Sequence, residues 1–174
     1  MNSLNIIIRA FFDICRLRLG PQDLPVSKTL LGLTLIIYTF ISLVLSLIQI
    51  SLAKALLSAI IDTGLLIVLI GSLLYFASRF ARFTQTITAL AGINILFGIP
   101  TVPLVFLIGQ KGLSNNQADL LVLLLFVVVI WNFIVYAHIL RNSLEIPMFA
   151  SFALTILISI LTFSVLNQII PMVK

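Results

Sequence analysis

Residues 53–76 read AKALLSAIIDTGLLIVLIGSLLYF, an apolar run interrupted by charge only at Lys54 and Asp62. About 20 consecutive apolar residues are enough for an α-helix to cross a bilayer. This run meets that length, and a carboxylate inside it carries a cost that needs a reason. Working outward, four more segments have the same character, so that 28–50, 53–77, 83–108, 118–140 and 147–170 together take up nearly the whole chain. The expected fold class is all-α: a polytopic membrane bundle of five transmembrane helices, preceded by an interfacial amphipathic helix.

Composition agrees. Of the 174 residues 61% are hydrophobic and 9% charged, against about 25% charged in soluble domains. No soluble fold hides so much apolar surface, so lipid is the expected solvent. The expected organisation is an amphipathic interfacial segment at 1–24 and a transmembrane domain at 25–174, with no second, soluble domain. The connections are short: tight turns at 51–54 and 78–82, a loop at 109–117 with the turn residues GQKGLSNNQ, and a fourth turn at 141–146. Links of this length predict antiparallel packing of sequential helices.

The net charge of +5 does not imply nucleic acid here, because the basic residues stand at the ends of apolar segments, where they set topology and touch anionic head groups. With the N-terminus inside, the inner side holds Arg9, Arg16, Arg18, Lys28, Arg79, Arg82 and Arg141, and the outer side holds Lys54, Lys111 and Lys174. The bias predicts a cytoplasmic N-terminus and an external C-terminus, in what the compact size suggests is a bacterial inner membrane.

The first 25 residues do not read as a signal peptide, since Arg9, Asp13, Arg16 and Arg18 break the apolar run and no small-residue cleavage pattern follows. Wound as a helix, Asn2, Asn5, Arg9, Asp13 and Arg16 share one stripe. Ile7, Phe11, Ile14 and Arg18 fall near another, flanked by Leu4, Ile8, Phe12 and Cys15. The expectation is a helix lying in the inner interface, with Phe11 and Phe12 inserted and Arg9, Arg16 and Arg18 toward head groups. Arg9 and Asp13 are spaced to pair at i, i+4. Gly20-Pro21 ends this helix, and Asp23 or Leu24 ahead of Pro25 starts the first span. Cys15, the sole cysteine, permits no intrachain disulfide. Its juxtamembrane place allows lipidation, while general burial preference favours a small buried thiol.

Three polar residues lie deep within spans: Asp62, Asn94 and Asn132. Asp62 must face protein or water, or carry a proton. It offers either a proton or cation site or a hydrogen-bonded carboxyl that fixes packing. Counting depth from the turns puts Asp62 and Asn94 within about 5 Å of each other along the membrane normal, which makes them the expected pair. Thr34, Tyr38, Ser42 and Ser46 form a polar stripe on the first span, and Gly64, Gly71 and Ser78 a smooth one on the second. Both suit close helix packing. Pro100 and Pro103, after Gly98, are expected to break the third span in its outer half, a feature that suits either packing or a transporter site. His138, the only histidine, reads as an interface residue, because a metal site needs more ligands than it can recruit. No metal, cofactor or catalytic motif is legible, and the chain is not expected to be an enzyme.

The stretch RFARFTQTITALAGINILFGIP, residues 79–100, resembles the third span of bacterial members of the Yip membrane-protein family, with a basic turn, a threonine-rich start, a small-residue centre and a closing proline. Gly20-Pro21 is similar to that family's Gly-Pro element before the first span. The chain departs from the pattern at Leu17, Arg18 and Leu19, where the family has Asp-Leu-Tyr, at Ile93, where a Tyr often follows the Gly, and in lacking the long cytosolic tail. The resemblance implies five spans and a role as a membrane adaptor, which in eukaryotic members engages small GTPases of the Rab class. The expected function is therefore a scaffold, organiser or accessory subunit of a membrane process. Its partners would be the lipid bilayer and either another membrane protein or a second copy. The rival is a small transporter or channel component that uses Asp62 and the Pro100 break.

Overall fold

The structure is a computed structural model that describes residues 3–110 and 115–169. It is all-α. An N-terminal helix α1 (Ser3–Cys15) and a 3-10 turn at Pro21–Asp23 precede α2 (Lys28–Leu47), α3 (Leu52–Phe76), α4 (Phe83–Ile108), α5 (Asn115–Leu144) and α6 (Met148–Ile169). Helices α2 to α6 are each long and apolar enough to cross a membrane, with mean hydropathy of 2.1 to 2.8. Large apolar side chains point outward along all five, as with Phe76 at 82% exposure and Phe149 at 87%. That pattern is unfavourable in water and ordinary in lipid. The chain is a multi-pass integral membrane protein.

Several element ends differ from the sequence expectation. The first span starts at Lys28, as the segment 28–50 predicts and not at Asp23 or Leu24, because Ser27 caps it by accepting a 3.2 Å hydrogen bond from the Leu30 amide. Asp23 instead closes the preceding turn, its carboxylate accepting from the Gly20 amide at 2.7 Å. The fourth span is longer than expected at both ends. Helix α4 passes through Pro100 and Pro103 without a break. Each proline still removes one backbone donor, but neighbouring turns hold the helix, and the Thr101 hydroxyl donates to the Phe97 carbonyl at 2.7 Å. Leu17, Ser78 and Glu145 have positive φ of 61°, 56° and 56°. Each follows the end of a helix. The amides of Arg18, Arg79 and Ile146 then reach back to the carbonyls of Asp13, Leu74 and Arg141, the bond of a Schellman cap.

Sequential helices are not simply nearest neighbours. Helix α4 lies chiefly against α2 and α5, and much less against α3, which packs mainly on α2 and only lightly on α4 and α6. Residues 86–93 of α4 are buried on every side, so this helix is the axis of the bundle. Small residues make that possible. A Cβ at Gly98 would fall 2.4 Å from Ile41 Cγ2, so the Ile41 side chain of α2 packs directly on the α4 backbone there. On α3 the glycine stripe acts this way only at Gly71, where a Cβ would come 3.0 Å from Phe83 Cε2, while a Cβ at Gly64 would touch nothing.

Packing is uneven along the bundle. The end that carries the N-terminal segment and the α3–α4 and α5–α6 turns, here the basic end, is tight. Ile70, Leu74, Ile87, Leu90, Ile139 and Leu140 are all sealed there. Toward the opposite, distal end α5 has no fully buried residue before Val135, and clefts open between the helices.

The N-terminal helix is part of this packed end. Ile14 is fully buried and Phe11 is 9% exposed. The Phe11 ring lies over Gly92, where a Cβ would come within 2.1 Å of Phe11 Cε1. Phe11 is therefore a core residue and not an interfacial one. The expected insertion applies to Phe12, which is 51% exposed. Arg9, Arg16 and Arg18 are exposed. Among the described residues Arg9 and Asp13 form no ion pair. Helix α5 holds the segment in place: Trp131 Nε1 donates to the Cys15 carbonyl at 3.1 Å, and His138 Nε2 lies 3.1 Å from the Leu19 carbonyl. Gln85 of α4 donates to the Leu24 carbonyl at 2.7 Å. Asn2, Lys111 and Lys174, and the side chain of Leu4, lie outside the described residues.

Candidate functional site

Asp62 stands ten residues into α3, about 15 Å along the helix from its start. Its carboxylate does not pair with Asn94. Oδ2 accepts from the Tyr38 hydroxyl at 2.6 Å and from the Ser42 hydroxyl at 3.0 Å. Both donors come from α2, one turn apart on the stripe that the sequence assigned to packing. Beside them on the same pair of helices, Thr39 and Thr63 share a 2.8 Å hydrogen bond. Asn94 of α4 instead accepts from Asn132 of α5, Nδ2 to Oδ1, at 3.1 Å. The three deep polar residues thus form two separate bonded sets.

These sets come together in space all the same. Tyr38, Asp62, Asn94 and Asn132 line two adjoining cavities. The first, of about 250 Å³, opens between α2, α4 and α5, with Ile41, Phe97 and Thr101 on its walls. The second, of about 300 Å³, lies between α3, α5 and α6, with Tyr136, Ser159 and Thr162. Both extend from this layer toward the distal end. Toward the basic end the layer gives way to Leu66, at the floor of the second cavity, and to the sealed side chains of Ile70 and Ile93.

The chemistry of the layer is specific. The Lys and Arg residues of the described spans stand in their first or last turn, as with Lys28, Lys54 and Arg141, and among the described residues Asp62 has no basic partner. Both of its hydrogen bonds fall on Oδ2. Oδ1 takes neither bond; no side-chain oxygen or nitrogen among the described residues is both fully buried and without a partner, so this oxygen is not sealed in, and Asp62 lines both cavities. Tyr136, one turn beyond Asn132, was not singled out by sequence reasoning. Its i, i+4 spacing from Asn132 was the available signal. Among the described residues no three His, Cys, Asp or Glu side chains gather.

A second polar cluster closes the basic end. Arg82 Nη1 donates to the Asn142 carbonyl at 2.8 Å, and Nη2 meets Glu145 Oε1 at 2.5 Å. Arg79 pairs with the other Glu145 oxygen. A cation on the last carbonyls of α5 is favourable for the helix dipole. The Arg82 hydrogen bond, with Arg79 beside it, holds the Glu145 carboxyl below the usual carboxylate range. Beneath this clamp Thr86 donates to Ser143 Oγ at 2.9 Å, a fully buried pair.

No family model, no curated protein and no solved structure matches the chain.

Proposed function

We propose that this is a non-enzymatic membrane protein that admits a small polar or charged solute to an intramembrane site, as a transporter or as an accessory subunit of one. The observation that carries this function is Asp62, whose Oδ1 takes neither of its two hydrogen bonds, at the wall of two cavities, both open toward one end of a bundle that is sealed at the other. A carboxyl serving packing alone would be expected to spend both oxygens on protein donors, because each unsatisfied polar atom in lipid is costly. The open transporter helix expected at Pro100 is not needed, since the cavity forms beside an intact α4.

The test is access. In a Cys15→Ser background, Thr162→Cys in sealed proteoliposomes should react with a membrane-impermeant thiosulfonate from one side of the membrane only. Absence of reaction from both sides would remove the site from contact with water and overturn the proposal.

A scaffold or organiser is the second reading. It is favoured by the long apolar surface of α5 from Leu120 to Trp131, which is exposed on most of its circumference and offers a face to another membrane protein or a second copy. The resemblance to the Yip family points the same way and rests on the residues quoted for it. A cytoplasmic N-terminus, proposed from the basic residues at that end, would open the cavities to the external side.

A further inference from the structure

Resting on that proposed site, we infer that its ligand is a small organic ammonium ion, held by Asp62 Oδ1. Charge comes first. An ionised carboxylate in the interior needs a countercharge, and among the described residues no Lys or Arg pairs with Asp62 to supply one. The two hydroxyl donors on Oδ2 support the negative charge and fix the carboxyl plane, but they leave it uncompensated. A cationic ligand supplies what the bundle lacks.

The donor set then narrows the kind of cation. A divalent ion takes six or more oxygens at short range, usually with several carboxylates. Asp62 is the only carboxylate here. A bare monovalent ion also needs a close cage of oxygens, whereas these cavities measure about 250 and 300 Å³, many times the roughly 30 Å³ of one water. The walls suit an organic ion better. Tyr38 and Tyr136 present aromatic rings next to the carboxylate, and ring faces attract ammonium groups. Phe97 and Ile41 in one cavity, and Ile158 and Phe163 in the other, accept an apolar tail. A pocket that is mostly apolar with a few convergent polar groups is the common form of a small-molecule site.

The experiment uses the full chain in nanodiscs, titrated with propylammonium and, as matched probes, propanol and propionate. The expected result is saturable binding of propylammonium alone, weakened about 30-fold or more by Asp62→Asn, with the thermal midpoint of the variant close to wild type. Sodium at equal concentration should not compete. Equal binding of propanol and propylammonium would overturn the cationic class while leaving a solute site in place. Binding of none of the three would overturn the inference, and the thiosulfonate reaction at Thr162→Cys in the same nanodiscs then decides whether the site itself falls. Should Asp62→Asn fail to fold, discrimination among the three probes by wild type alone still tests the assignment.

Discussion

The Tyr38 hydroxyl donates a 2.6 Å hydrogen bond to Asp62 Oδ2, and the two residues are equidistant in sequence from Ile50 at the α2–α3 turn. A tight helical hairpin puts such residues at one depth, so the bond follows from the turn as much as from the side chains. Its removal gives a graded series. Asp62→Asn keeps an acceptor of the same shape for Tyr38 and should lower thermal stability in detergent least. Tyr38→Phe removes one bond and should cost about 1 kcal/mol. Asp62→Leu strands two hydroxyls and should cost about 1–2 kcal/mol. Asp62→Leu as stable as wild type would show that the carboxyl contributes nothing to packing.

Depth was legible in the sequence and lateral position was not. Asp62 and Asn94 are equidistant from the α3–α4 turn, but Asn94 and Asn132 are equally matched about the α4–α5 loop, and Tyr38 and Asp62 about the α2–α3 turn. Turn counting therefore puts all four residues in one layer, which the structure shows them sharing. It gives only one coordinate. Which residue faces which depends on how helices pack around the axis, and that is decided by features without hydropathy contrast, such as the close approach at Gly98 that draws α4 to α2. The docking of α1 was hidden for a related reason. Phe11 and Phe12 are alike in composition, and only a glycine more than eighty residues away, Gly92, makes one of them a core residue.

Gly92 supplies the second prediction. A side chain there would displace Phe11 and release α1. Two single-copy residues report on this. Burial pushes the Cys15 thiol up to about 11, so at pH 8 it should alkylate about tenfold slower than a free thiol, the loss of thiolate being partly offset by greater nucleophilicity. Gly92→Leu should restore a normal rate and shift the emission of Trp131, which loses its bond to the Cys15 carbonyl. Unchanged alkylation and emission would mean that α1 does not depend on this contact.

The Glu145 clamp makes stability depend on acid. Because Arg82, and then Arg79, hold the folded carboxyl below the usual range, the unfolded state binds protons more tightly over the window between the two values. The contribution is fully present above the ordinary Glu range, near pH ~4.3, and is lost as pH falls through the lowered folded value. Glu145→Gln should melt lower than wild type at neutral pH, and the two curves should converge in acid. Parallel curves across that range would remove Glu145 from the linkage.

Orientation is the last prediction, and it rests on charge. Arg9, Arg16, Arg18, Lys28, Arg79, Arg82 and Arg141 belong to the end of the bundle that holds α1, against Lys54 among the described residues at the other. Basic residues close to span ends are retained on the cytoplasmic side, so α1 and the Glu145 clamp should face the cytoplasm. With five spans the C-terminus then lies outside. Fusion of alkaline phosphatase to the C-terminus should give an active enzyme, and fusion of a fluorescent protein at the same point should stay dark. The reverse pattern would place the cavities around Asp62 open to the cytoplasm. A solute reaching Oδ1 would then come from inside the cell, which would change the direction of the proposed transport without changing the chemistry of the site.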